Sequence, residues 1–309
     1  MSVSDSPVKS DALPPLDATA ADLVARKTSA CAGFWLQDEV ATRMAQRLPL
    51  IKQAPRSWLD WQPMTGGLAA GALVQTAYPK ADGVIYQPHS PDLQWVERAQ
   101  KTPWWRRWRR PAVTYTSQAL EQAEMVWCNM LLHQHPRPLA LMKSWSQSLL
   151  PQGFVMFSCL GPDSLKELRS LYADLQWPPP HHSFTDMHDW GDMLLQAGFG
   201  QPVMDMERIT LTYASAQEAL NDLRAWGRNL HPQRFAGLRG RAWREQLCAA
   251  MNRRLASASH AGRLVLSFEI IYGHAFKSAV SSPVKPETRV LLQDMKQMLQ
   301  DNKTNPNKP

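Results

Sequence analysis

Leu59-Asp60-Trp61-Gln62-Pro63-Met64-Thr65-Gly66-Gly67 is the stretch on which the fold assignment turns. It closes a short apolar segment, SWLDW, and leads into LAAGALVQTAYP, whose spacing predicts a helix stopped by Pro79. Strand, turn and helix in this order are the building unit of open parallel sheets. In such sheets the first strand ends in an acidic residue and a glycine-rich turn follows. Glycines serve there because the backbone must turn tightly and approach a ligand with no Cβ in the way. Asp60 holds the acidic position, and only Gly66 and Gly67 supply glycine. Gln62 and Met64 are bulky, and Pro63 both fixes φ and removes an amide donor.

Outward from this turn the same alternation continues. Residues 20–50 carry apolar positions at helical spacing, such as Val40, Met44 and Leu48. GVIY (83–86), AVTYT (112–116), EMVWCN (124–129) and GFVMFSCL (153–160) read as further strands, with a helix in PLALMKSWSQSLL stopped by Pro151. DMHDWGDMLLQAGF reads as a helix started by Asp186 and stopped by Gly198. PVMDMERITLTY and RLVLSFEIIYGHAF read as two long strands about fifty residues apart, the segment between them being helical and rich in Arg. A parallel, doubly wound α/β sheet closed at one edge by an antiparallel pair is expected. Residues 229–262 would be a helical insertion, a candidate lid, within one domain over 21–300; 1–20 and 301–309 are expected to be disordered tails.

The 309 residues are 44% apolar and 20% charged, enough to bury a full core, and no run approaches the length of a membrane span. The N-terminus lacks an apolar core and is not a secretory signal. Cys31, Cys128, Cys159 and Cys248 are too scattered for a metal or redox pair, which points to reduced thiols and a cytoplasmic protein. The net charge of +7 favours acidic partners.

Four segments carry a resemblance: GPDSLKELR (161–169), FTDMHDWGDMLLQAGF (184–199), PVMDMERITLTY (202–213) and FEIIYGHAFK (268–277). Together they resemble the malonyl-acyl-carrier-protein O-methyltransferase family of biotin synthesis, over about residues 22–278. The resemblance implies a class I methyltransferase fold, with a seven-stranded mostly parallel sheet and an antiparallel last strand. It also implies S-adenosylmethionine as cofactor, an acidic acyl-carrier protein as partner and esterification of a malonyl carboxyl. A mitochondrial arginine hydroxylase that assists complex I assembly resembles the same segments, so fold does not by itself fix chemistry.

Carried onto this chain, the family's cofactor residues fall at Asp60, Gln62, Met64, Gly66, Gln87 and Asn129. Gln62 and Met64 stand where the family has its first two glycines, and Gln87 where a carboxylate grips both ribose hydroxyls. A neutral amide offers one carbonyl oxygen where a carboxylate accepts two charge-assisted bonds. The donor site is therefore expected to be impaired, and the alternative to an active enzyme is a non-catalytic scaffold of the same fold. A carboxylate is already a nucleophile, so no catalytic dyad is expected and the catalytic residues stay unassigned.

Asn129, at the carboxyl edge of its strand, is either a pocket residue or a turn. His133 and His135 have no matching further ligands, and no metal site is expected. Asp186, His188, Asp189 and Asp192 read as a helix cap rather than a metal cluster, and Asp163 as the cap of the next helix. In TPWWRRWRRP (102–111), Arg106, Arg107, Arg109 and Arg110 interleave with Trp104, Trp105 and Trp108. They read either as a surface helix with packed tryptophans and solvated arginines or as partner-binding residues for an acidic carrier protein, with nucleic acid and membrane surfaces as weaker options. RFAGLRGRAWREQ, with Arg234, Arg239, Arg241 and Arg244, is a second basic element.

Overall fold

Trp58 and Leu59 point to opposite faces of the first strand and both are buried, as are Met125 and Val126 on the fourth and Phe154 and Val155 on the fifth. Burial on both faces is what a parallel sheet between two helix layers demands. The computed structural model describes residues 13–26, 35–100, 112–118 and 122–278. Seven strands lie in the order β3-β2-β1-β4-β5-β7-β6. They are β1 Ser57–Trp61, β2 Asp82–Tyr86, β3 Val113–Thr116, β4 Ala123–Cys128, β5 Leu149–Leu160, β6 Phe199–Tyr213 and β7 Leu264–Lys277. All neighbours are parallel except β7, which runs antiparallel to both β5 and β6. This is the class I methyltransferase arrangement.

After α1 Ala18–Arg26, one face is covered by α2 Trp35–Ala45, α3 Pro63–Gly66, α4 Ala69–Ala77 and α5 Ser90–Ala99 together with later helices; the other carries α6 Pro138–Ser148. Then follow α7 Lys166–Asp174, α8 Met187–Gln196, α9 Ala216–Trp226 and α10 Arg241–Arg254. Two apolar clusters result. One gathers Leu36, Val40, Met44, Met64 and Trp127 over α2, the other Trp61, Cys128, Trp145 and Trp190 under α6 and α8.

The sequence expectations need four corrections. Residues 13–20 are not a tail: α1 begins at Ala18, and Asp17 pairs with Arg234 at 2.8 Å. Helix α6 ends at Ser148, ahead of Pro151, because Leu149 already pairs with Ala123. The β4–β5 register shifts nearby, with the exposed Pro151 and left-handed Gln152 (φ 66°) following Leu149. Within 229–262 only Arg241–Arg254 and one turn at Ala258–His260 are helical. Asp163 does not cap α7. Left-handed Leu165 (φ 55°) turns the chain into that helix, and Asp163 instead pairs with Arg208 at 2.8 Å. Asp186 does cap α8, accepting from the His188 amide at 2.9 Å. Arg106, Arg107, Arg109, Arg110 and the 301–309 tail lie outside the described residues.

Candidate functional site

The carboxyl ends of β1, β2 and β4 converge, because Asp60 pairs in register with Ile85 on one side and Trp127 on the other. Asp60 therefore stands beside the residues that follow β2 and β4, which are Gln87 and Asn129. Asp60 is 2% exposed and its Oδ2 has no hydrogen-bond partner among the described residues. Burial pushes its carboxyl up to about 8, so it holds a proton at neutral pH.

After β1 the chain must reverse, and Gln62 does so in a left-handed conformation, φ 59° and ψ 62°. Side chains with a Cβ adopt this region at a cost that glycine does not bear. Pro63 then opens the single turn α3, and the Gln62 amide donates to the Tyr86 carbonyl at 2.8 Å. Met64 is buried and packs into the cluster under α2. Its amide donates to Gln87 Oε1 at 3.5 Å, and Gln87 is itself buried. Gly66 is required: a Cβ there would stand 2.6 Å from the Asn129 carbonyl oxygen.

Asn129 is a strut. Its Nδ2 donates to the Gln37 carbonyl at 2.8 Å and to the Gly66 carbonyl, and its Oδ1 accepts from Ser158 Oγ at 2.6 Å. One side chain thus holds α2, the turn and β5 together. All six positions named from the sequence come to one sheet edge, with Asn129 spent on protein contacts.

Beside Asn129 lies a cavity of about 130 Å³, walled by Gln37, His133, His181, His182, Leu165 and Phe184 among others. Two of its wall residues, Met130 (φ 52°) and Leu165, are left-handed without being glycine. Gln37 Oε1, His133 Nδ1, His181 Nε2 and His182 Nδ1 are buried without a partner among the described residues. Burial lowers the His133 imidazole to about 3 and that of His182 to about 4. The sequence reading singled out none of these but His133. The adjacent pair in WPPPHHSF was a visible signal, whereas Gln37, in the middle of an ordinary helix, was not. Among the described residues no cluster of three or more His, Cys, Asp or Glu stands ready for a metal, and no helix is long and apolar enough to cross a membrane.

No family model matches the chain. Curated relatives do. A malonyl-[acyl-carrier protein] O-methyltransferase of Laribacter hongkongensis is 38% identical over 79% of this chain and 83% of its own length. Those of Gallionella capsiferriformans and Halorhodospira halophila are each 36% identical, over 79% and 78% of this chain and 84% and 81% of theirs. The chain belongs to the malonyl-[acyl-carrier protein] O-methyltransferase family. Among solved structures, the YcgJ protein of Bacillus subtilis aligns with a TM-score of 0.49 at 11% identity, over 80% of this chain and 100% of that one.

Proposed function

We propose that this chain serves the carrier-protein step of its relatives, recognising a malonyl group on an acidic acyl-carrier protein, with S-adenosylmethionine bound far more weakly than an intact loop would hold it. The observation that carries the second part is the closed contact between Met64 and Gln87. The Gln87 oxygen that would meet a ribose hydroxyl already receives the Met64 amide. Asp60, Met64, Gln87 and Asn129 are each 4% exposed or less. The residues present therefore fit the cofactor poorly.

Replacing a charge-assisted contact by a neutral one costs about 1–2 kcal/mol. Crowding by Met64 adds a comparable amount, and a combined loss of about 2–4 kcal/mol weakens binding roughly thirty- to a thousandfold. Chemistry that asks only for an oriented carboxylate oxygen can survive such a loss at high donor concentration. The basic run Arg106, Arg107, Arg109 and Arg110 supplies the charge for carrier docking.

The alternative, a scaffold of the same fold without methyl transfer, differs from the first reading in one measurable respect. Calorimetric titration of S-adenosylmethionine, with methyl transfer to malonyl-carrier protein followed in parallel, separates the two. Weak binding with turnover supports the first reading, and no binding up to millimolar donor supports the second. Low-micromolar binding would overturn the impaired site.

A further inference from the structure

The walls of the cavity beside Asn129 have a definite hydrogen-bonding polarity. His182 Nε2 lies 3.0 Å from the His133 carbonyl and His181 Nδ1 lies 2.6 Å from the His182 carbonyl. A carbonyl oxygen only accepts, so in each ring that nitrogen carries the hydrogen. The opposite nitrogens, His182 Nδ1 and His181 Nε2, are then bare lone pairs when the rings are neutral. Burial, with Arg169 and His231 adding to it at His181, keeps both imidazoles below their ordinary range. Gln37 Oε1 is a third acceptor, and Gln37 and His182 are each no more than 5% exposed. All three are without partners among the described residues. Such orphaned acceptors are costly unless a ligand supplies donors.

At these three acceptors a carboxylate offers only lone pairs and is repelled, whatever attraction the Arg228 guanidinium exerts elsewhere on the lining. A cation is disfavoured by Arg228 at the lining and by Arg169 nearby. What remains is a neutral molecule with N–H or O–H groups and an aliphatic body, matching the apolar walls Leu165, Phe184, Trp226 and Phe268. We propose that this cavity holds the neutral, amide-bearing arm on which a carrier protein presents its acyl group, with Gln37, His181 and His182 accepting hydrogen bonds from the arm. This rests on the carrier-protein reading above and deepens it, by naming the recognised chemistry and the residues that read it. The malonyl carboxylate, by the same polarity, is held outside these three acceptors.

The test needs neither methyl donor nor carrier protein. Pantetheine, the arm alone, is titrated into the full chain at pH 7.5 by calorimetry, with malonate as a competitor and with Gln37→Leu and Gln37→Met as variants. Saturable pantetheine binding is expected, undisplaced by malonate and weakened at least fivefold by either variant. The same variants should keep or raise the melting temperature, because each removes a buried acceptor without a partner. A purely structural Gln37 would give the opposite thermal result. No pantetheine binding, displacement by malonate, or unchanged affinity in both variants overturns the proposal. Methyl transfer that persists with such a negative result would leave the functional reading standing, and pantetheine binding without any transfer would sink that reading alone.

Discussion

The Met64 backbone N–H donates to Gln87 Oε1 at 3.5 Å, tying the turn after β1 to the end of β2. On the reading proposed above, this long contact occupies the acceptor that a ribose hydroxyl would otherwise meet. S-adenosylmethionine should accordingly bind more weakly than about 100 μM. The combined change Gln62→Gly, Met64→Gly and Gln87→Asp should tighten binding more than any single change, since the three line one place and couple. Calorimetry on the four proteins checks this, and additive single effects would argue against a shared pocket.

Asp60 makes the molecule sensitive to alkali. Its folded pKa, raised by burial to about 8, lies above the unfolded value. The stability it contributes is complete below about pH 3.9 and drains away as pH rises through 8. Asp60→Asn cannot ionise and should gain a few kcal/mol over the parent at pH 9, with little difference at pH 4.5. Urea midpoints at the two pH values measure it; an equal difference at both would show that Asp60 does not titrate in this range.

Gly66 and Gly191 should respond in opposite ways to a methyl group. A Cβ at Gly66 meets the Asn129 backbone oxygen at 2.6 Å, so Gly66→Ala should cost about 1–3 kcal/mol. At Gly191, inside α8, nothing lies nearer than Met204 Cγ at 4.0 Å. There Gly191→Ala should stabilise by about 0.5–1 kcal/mol through the unfolded state. Thermal melts of both variants decide the pair.

Strand–turn–helix alternation placed β1, β4 and β5 because their apolar runs are bounded and buried on both faces, while the longer β6 and β7 showed as extended β-rich runs. Asp186 was legible as a cap because its acceptor serves the helix it precedes. Asp163 was not, since the left-handed turn at Leu165 redirects the chain and no local pattern announces it. That Asp60, Gln87 and Asn129 stand at or just beyond the carboxyl ends of their strands could be read from the alternation. Gln37, His181 and His182 meet only after α2 and the chain ahead of α8 are packed over β4 and β5. Their importance lies in unfilled lone pairs, a property of packing that composition does not carry.

The buried imidazoles should make the protein acid-sensitive. His133, lowered to about 3, and His182, to about 4, stay neutral in the folded state while the unfolded chain takes up protons below about pH 6.5. Their contribution is complete above that value and is lost as pH falls toward 4, by up to about 1.4 kcal/mol per pH unit for each ring. His133→Phe should flatten the slope between pH 6.5 and 4.5. An unchanged slope would mean that His133 is already protonated in the native protein.

Carrier recognition through Arg106, Arg107, Arg109 and Arg110 should fall steeply with salt, as steered association between opposite charges does. Changing all four to Ser should weaken binding to acyl-carrier protein about tenfold or more at low ionic strength and leave the melting temperature unmoved. Salt-independent binding by the parent would move the docking surface elsewhere.

The segment after β5 is stitched to β7. Ser164 Oγ donates to the Glu269 carbonyl and accepts from the Glu269 amide, both at 3.0 Å, and Glu269 Oε2 receives the Asp163 amide at 2.7 Å. These partners stand about a hundred residues apart in sequence. Leu165, which walls the cavity, donates its amide N–H to the Ser267 carbonyl at 2.7 Å. The wall is therefore assembled by β7, the most C-terminal strand among the described residues, against parallel strands made long before. Closure over so long a loop is slow. A nascent chain halted ahead of Leu264 carries β1, β2 and β4 but lacks the strand that holds this cavity wall in place.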